Sequence, residues 1–115
     1  MKTFEDLEFK EHPISIIAKE AIRLYPELKL LKEQIGYTQA KIVFDNQRVL
    51  SIVFGECFYS NGIDTYEVLE INHLNSEPIG YITKDEVSKV MKLMQEDISW
   101  SEIENKIYNK QGAYK

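Results

Sequence analysis

Three kinds of side chain in this sequence could do chemistry: one thiol, two imidazoles and a short run of carboxylates. Cys57 lies between Glu56 and Phe58. A cysteine nucleophile needs a depressed pKa from a neighbouring base or cation, and an adjacent carboxylate works the other way. Cys57 therefore reads as a small buried hydrophobe. His12 and His73, the only histidines, stand far apart in the chain. No pair of potential ligands has zinc-site spacing, so neither a metal nor another cofactor is expected. Asp64, Glu67 and Glu70 could supply acid–base carboxylates. Glu67 and Glu70 are three residues apart on a predicted strand, however, and point to opposite faces. A catalytic pair must converge. Phosphate-cradling glycine loops, HExxH and nucleophile elbows are missing from the sequence. The expectation is a chain with no catalytic residues, and not an enzyme.

The side chains with the most potential for recognition are aromatic. Tyrosine buries a large ring while keeping a polar tip, which suits interfaces. Tyr59-Ser60-Asn61-Gly62 beside Asp64 and Glu67, with Tyr66 and Tyr81 further along, forms a candidate partner-binding edge made of Tyr59, Asn61, Asp64, Tyr66, Glu67 and Tyr81. Core packing and turn stabilisation are the alternative roles for the same residues.

The elements that must position these groups follow from periodicity. Phe4, Leu7 and Phe9 fit a short strand or a docking arm. His12 flanks a helix that starts at Pro13, where the missing N–H is harmless, and carries Ile14, Ile17, Ala18, Ala21 and Tyr25. Pro26 is expected to start a second short helix with Leu28, Leu31 and Ile35, closed by Gly36. The two make a helical hairpin or a kinked helix. Residues 40–44 and 49–54 are strands around the turn Asp45-Asn46-Gln47-Arg48. Ile42, Phe44, Leu50, Ile52 and Phe54 share one face, and Val43, Val49 and Val53 make the other apolar too. Such a sheet is usually covered on both sides: by the hairpin and the C-terminal helices, or by an oligomer contact that leaves a homodimer open. Residues 65–71 form a third strand and Ile79–Ile82 a short fourth. Thr83-Lys84-Asp85-Glu86 is a capping box ahead of Val87, Val90, Met91, Met94 and Ile98. Ser99-Trp100-Ser101-Glu102 repeats it ahead of Ile103 and Ile107, a stripe suited to satellite core or a dimer seam. The expected class is α+β: a three- to four-stranded antiparallel sheet with an N-terminal helical hairpin and two C-terminal helices, one domain over 1–115 whose residues 109–115 fray.

Composition agrees with an ordinary globular domain. The chain has 115 residues, 43% hydrophobic and 29% charged, enough for one core. No apolar run approaches the ~18 residues that cross a bilayer, the acidic start lacks a signal-peptide pattern, and a single cysteine suits a reducing compartment. The expected location is the cytoplasm. The net charge of −5 is concentrated between residues 37 and 83, where Lys41 and Arg48 face Asp45, Glu56, Asp64, Glu67, Glu70 and Glu77. That balance repels a phosphate backbone and suits a basic partner; the simpler reading is a solvated sheet face.

Phe54-Gly55-Glu56, Tyr59-Ser60-Asn61-Gly62, Thr65-Tyr66-Glu67-Val68 and the run from Gly80 to Val87 resemble small accessory proteins of bacteriophages and mobile elements. The opening Phe4-Glu5-Asp6-Leu7-Glu8-Phe9-Lys10 is similar too. The likeness covers about half of the chain; in that pattern the opening runs soon into the first strand, whereas here residues 13–36 intervene. The resemblance implies an anti-defence or host-takeover role, anti-CRISPR proteins being one form, with no target assigned. Together these readings lead to a non-enzymatic protein-binding module, a phage-type inhibitor of a host or defence protein with a basic nucleic-acid-binding groove. It would contact neither nucleic acid nor membrane directly. The alternative is a small-ligand or nucleotide-sequestering protein whose pocket uses Tyr59, Tyr66 and Tyr81 with Arg48 and Lys41.

Overall fold

The computed structural model describes residues 1–28, 31–32, 35–55, 60–71 and 76–111. Its centre is an antiparallel meander. The strands β1 (Lys10–Glu11), β2 (Thr38–Val43), β3 (Val49–Phe54), β4 (Tyr66–Ile71) and β5 (Ile79–Ile82) neighbour one another in chain order. The β2–β3 turn closes with Phe44 and Arg48 paired through the backbone, Gln47 taking a positive φ of 72°. Register then decides which residues share a face. Ala40 stands opposite Ile52 and Ile52 opposite Val68, while Ile42 stands opposite Leu50 and Leu50 opposite Glu70. Directly opposed residues point the same way, so one face is continuous and mainly apolar, with Glu70 and, toward the β1 edge, Thr38 as polar members.

Two helices cover that face. α2 (Lys84–Gln95) buries Val87, Val90, Met91 and Met94. α3 (Trp100–Gln111) buries Trp100, Ile103 and Ile107, which share one cluster with Leu50, Ile52, Val68, Ile79 and Ile82. The Trp100 stripe is therefore core and not a dimer seam; its indole N–H donates to the Glu77 carbonyl at 2.8 Å. Each of these large side chains, taken out of water, contributes about 1.5–3 kcal/mol. Both helices start where the capping pattern predicts. The Thr83 hydroxyl accepts from the Glu86 N–H and the Glu86 carboxylate accepts from the Thr83 N–H, while the Ser99 hydroxyl accepts from the Glu102 N–H. α3 takes in Asn109 to Gln111, which were expected to belong to the frayed tail; the rest of that tail lies outside the described residues.

The N-terminal third differs from expectation. A 3-10 turn at Phe4–Asp6 and strand β1 precede α1 (Pro13–Leu24), so the sheet has five strands. Lys10 and Glu11 carry no apolar alternation, and their pairing with Gln39 and Thr38 rests on the backbone, which leaves no mark in sequence. Phe4, Leu7 and Phe9 pack against the main core as a docking arm. A helical hairpin is not formed among the described residues. α1 ends at Leu24, capped by Tyr25, and the chain continues through i→i+3 bonds from the Leu28 N–H to Tyr25, Leu31 to Leu28 and Ile35 to Lys32. Pro26 has no capping residue before it. Gly36, at φ 96°, turns the chain into Tyr37 and β2.

The two faces of the sheet are covered differently. α2 and α3 share one cluster with the sheet, and α1 contributes no residue to it. The other face carries Val43, more than half exposed, beside buried Ser51 and Val53. α1 buries only Ser15 and Ala18.

Candidate functional site

The residues expected to form one recognition edge stand, where described, on the loop before β4 and on β4 and β5. Tyr59 lies outside the described residues, as do Cys57 and His73. Asn61 is a loop organiser: its side-chain oxygen accepts from the N–H groups of Ile63, Asp64 and Thr65 at 2.9 to 3.1 Å, and its amide donates to Asp64 at 2.7 Å. The Ser60 hydroxyl accepts from the Gly55 and Gly62 N–H groups from the inner side. This chemistry fixes the loop's shape and lifts Ile63 to 80% exposure. Tyr66 points to the covered face, its ring 5.3 to 5.8 Å from those of Phe4, Phe9 and Phe54. Glu67 stands opposite Val53 on the other face. Tyr81 is more than half exposed on the edge strand, with φ at 55° beside an irregularity in the β4–β5 register.

The carboxylates diverge as the strand period requires. Glu70 shares the covered face with Leu50, opposite in direction to Glu67. It is buried, not solvated, because Arg48 meets it with two parallel bonds of 2.8 and 2.9 Å. The remaining guanidinium nitrogen donates to the Ile98 carbonyl, and the Asn46 amide donates to the Met94 carbonyl at 2.8 Å. The hairpin turn is thereby fastened to the α2–α3 corner. Bonding to Glu70 raises the Arg48 pKa above its ordinary value against the opposing cost of burial. A guanidinium so committed holds structure together and is not displayed to a phosphate ligand. Sequence reasoning missed this pair, although the alternation of Glu70 with Val68 and Tyr66 was an available signal. Among the described residues no three His, Cys, Asp or Glu side chains group as metal ligands.

Two surface features among the described residues bear on binding. A depression of about 350 Å³ beside β1 and β2 is lined by Glu8, Lys10, Glu11, Gln39 and Lys41. Its Glu11 is already engaged by Lys19 at 2.6 Å and by the Ser15 hydroxyl, which together hold its pKa below the usual carboxylate value. The second feature is the outer side of α1 and the turn after it. Ile16, Ile17, Leu24 and Tyr25 are each more than half exposed, and Leu28 continues the strip at 42%. Ile17 and Leu24 are seven apart in the helix and so lie near one line, and Leu28 follows in the turn beyond it. The chain keeps this apolar strip outside because α1 is anchored through its other flank. Ser15 donates to Glu11 and accepts from the Gly36 N–H at 2.8 Å, and Ala18 is buried. Ile16, off the main stripe, was the sequence signal for a helix apolar on more than one side. Among the described residues no helix is long and apolar enough to cross a membrane. Compared with protein-family models, with curated proteins and with solved structures, the chain matches none.

Proposed function

We propose that this chain is a non-enzymatic protein-binding module that docks a partner through the exposed side of α1. The carrying observation is the strip Ile17, Leu24, Tyr25 and Leu28, left in solvent by a helix whose other flank is pinned. Apolar side chains grouped this way characterise interaction surfaces, whereas single exposed ones need no explanation. The rigid loop that holds up Ile63 offers a second, smaller contact. The phage-type resemblance supports an inhibitor of a host or defence protein as the specific form of this reading, and the acid-rich middle of the chain favours a partner with a basic groove.

Photo-crosslinking tests it. A photoreactive side chain at Leu24 should give a discrete hetero-adduct in lysate of the source cell or its host. The same group at Glu102, exposed on α3, should give none, and Ile17→Glu should abolish the Leu24 adduct. Equal, diffuse labelling from both positions sinks the proposal, and an adduct of twice the chain mass reassigns the strip to self-association. The small-ligand alternative has one supporting feature, the depression with Lys10 and Lys41. Nucleotides or other anions that bound there would raise the melting temperature, and Lys41→Ala would remove the rise.

A further inference from the structure

We propose that α1 is held by a histidine cap that opens in mild acid, so that the N-terminal helix loosens while the sheet, α2 and α3 stay folded. The inference rests on the start of α1 alone and stands whether or not α1 binds a protein.

The first turn of a helix leaves N–H groups without intrahelical partners. In α1, Pro13 removes one of them. Ser15 and Ile16 donate to the His12 carbonyl, and the Ile14 N–H donates to His12 Nδ1 at 3.0 Å. His12 thus occupies the place usually taken by Asp, Asn, Ser or Thr. The chemical difference is that an imidazole nitrogen accepts only while it carries no proton. Protonation turns the acceptor into a donor aimed at another N–H, and it sets a full positive charge on the positive end of the helix dipole.

The surroundings add to both effects. β2 brings Lys41 toward the ring. β1 contributes Lys10 and Glu11, but the Glu11 carboxylate is taken by Lys19 of α1 and by the Ser15 hydroxyl. The first turn of α1 holds no acidic residue that would offset the charge. Burial first and Lys41 second lower the His12 pKa from its usual value. The native state therefore prefers the neutral ring. The stabilisation is complete above the unfolded value near 6.5 and is lost as pH falls toward the folded value. Glu11 fails only at lower pH, because its pKa lies below that of an ordinary carboxylate. The two transitions are separable. Once its cap is lost, α1 is held by the Ser15 bonds to Glu11 and Gly36 and the Lys19–Glu11 pair, with only Ser15 and Ala18 buried, and a lone helix of twelve residues is marginal in water.

Residue-resolved amide hydrogen exchange on the full chain, normalised for intrinsic rates, tests this between about pH 7.5 and about pH 5. Wild-type protection from Ile17 to Leu24 should fall severalfold at the lower pH, while α2 protection holds. His12→Asn keeps an acceptor that does not titrate, and it should hold α1 at both pH values. His12→Ala should bring α1 at the higher pH down to the level that wild type reaches at the lower, with little further loss there. The wild-type His12 ring, followed by NMR, should titrate below the ordinary histidine value; this readout stands even if a variant folds poorly. Unchanged wild-type protection of α1, a parallel acid loss in His12→Asn, or titration at or above the ordinary value would each overturn the proposal.

Discussion

α1 and α2 are both twelve residues long and both amphipathic, yet they are held in opposite ways. α2 sets its whole apolar stripe against the sheet and starts at a hydroxyl and a carboxylate that bond each other's backbone. α1 buries one small and one polar side chain, leaves its largest apolar residues in water, and starts at an imidazole. The contrast teaches that length and periodicity make a helix, while position relative to the sheet decides what the helix is for. A stripe over β3 and β4 becomes core. A similar stripe tied to the β1–β2 edge by a serine becomes surface.

The strongest way to break the comparison is to attack the joint that holds the C-terminal layer. Arg48→Ala leaves Glu70 buried without its counter-charge and should cost about 3–5 kcal/mol in urea unfolding. Arg48→Met combined with Glu70→Leu should recover most of that loss, since two apolar side chains of similar volume need no pairing. A single-variant loss below about 1 kcal/mol would mean that the pair is solvated. Next in size, Ile103→Ala should cost about 2–5 kcal/mol through the cavity it opens. Leu24→Ala, the same kind of truncation on α1, should stay within about 0.5 kcal/mol, as surface changes do. Comparable losses at both positions would erase the distinction between core helix and surface helix.

How much of this was legible follows from the range over which each feature is determined. The caps at Thr83 and Ser99, the alternation of Ile42, Leu50 and Ile52, and Pro13 at a helix start are set by residues within one turn or one hairpin, and all were readable. β1 was not, because its two residues pair through backbone groups that every sequence has. Glu70 was misjudged as solvated because its partner lies across a strand pair, and a carboxylate alone does not reveal a guanidinium elsewhere. The layout of the candidate binding edge was not legible either. Asn61, Asp64, Tyr66, Glu67 and Tyr81 are close in sequence or strand order, but the strand period and the Asn61 turn send them in different directions. The exposed strip on α1 was hidden for the converse reason: periodicity identifies an apolar side without saying whether anything covers it.

A smaller effect separates the two caps. Thr83→Ala should cost about 1 kcal/mol by the same amount at pH 5 and pH 8, because a hydroxyl does not titrate in that range. His12→Ala should cost α1 its local protection at pH 8 and nothing further at pH 5, where the wild-type cap has already weakened. A pH-independent penalty at His12 would remove the contrast between the two helix starts.

The smallest predicted effect tests the far end of α2. Asp97 adopts φ 63°, its N–H donating to the Met94 carbonyl while the Ile98 N–H donates to Leu93. That left-handed position after a helix favours glycine, so Asp97→Gly relieves backbone strain. It also removes a charge 3.7 Å from Arg48. Asp97 is 82% exposed, so the lost attraction is screened and amounts to at most about 1 kcal/mol. Asparagine tolerates the same conformation, so Asp97→Asn isolates the charge and should lower stability by only a few tenths of a kcal/mol, less at high salt. Asp97→Gly should then come out level with wild type or slightly more stable. If Asp97→Asn instead cost more than about 1 kcal/mol, Asp97 would rank with Glu70 as a partner of Arg48, and the joint between hairpin and helices would be a triad.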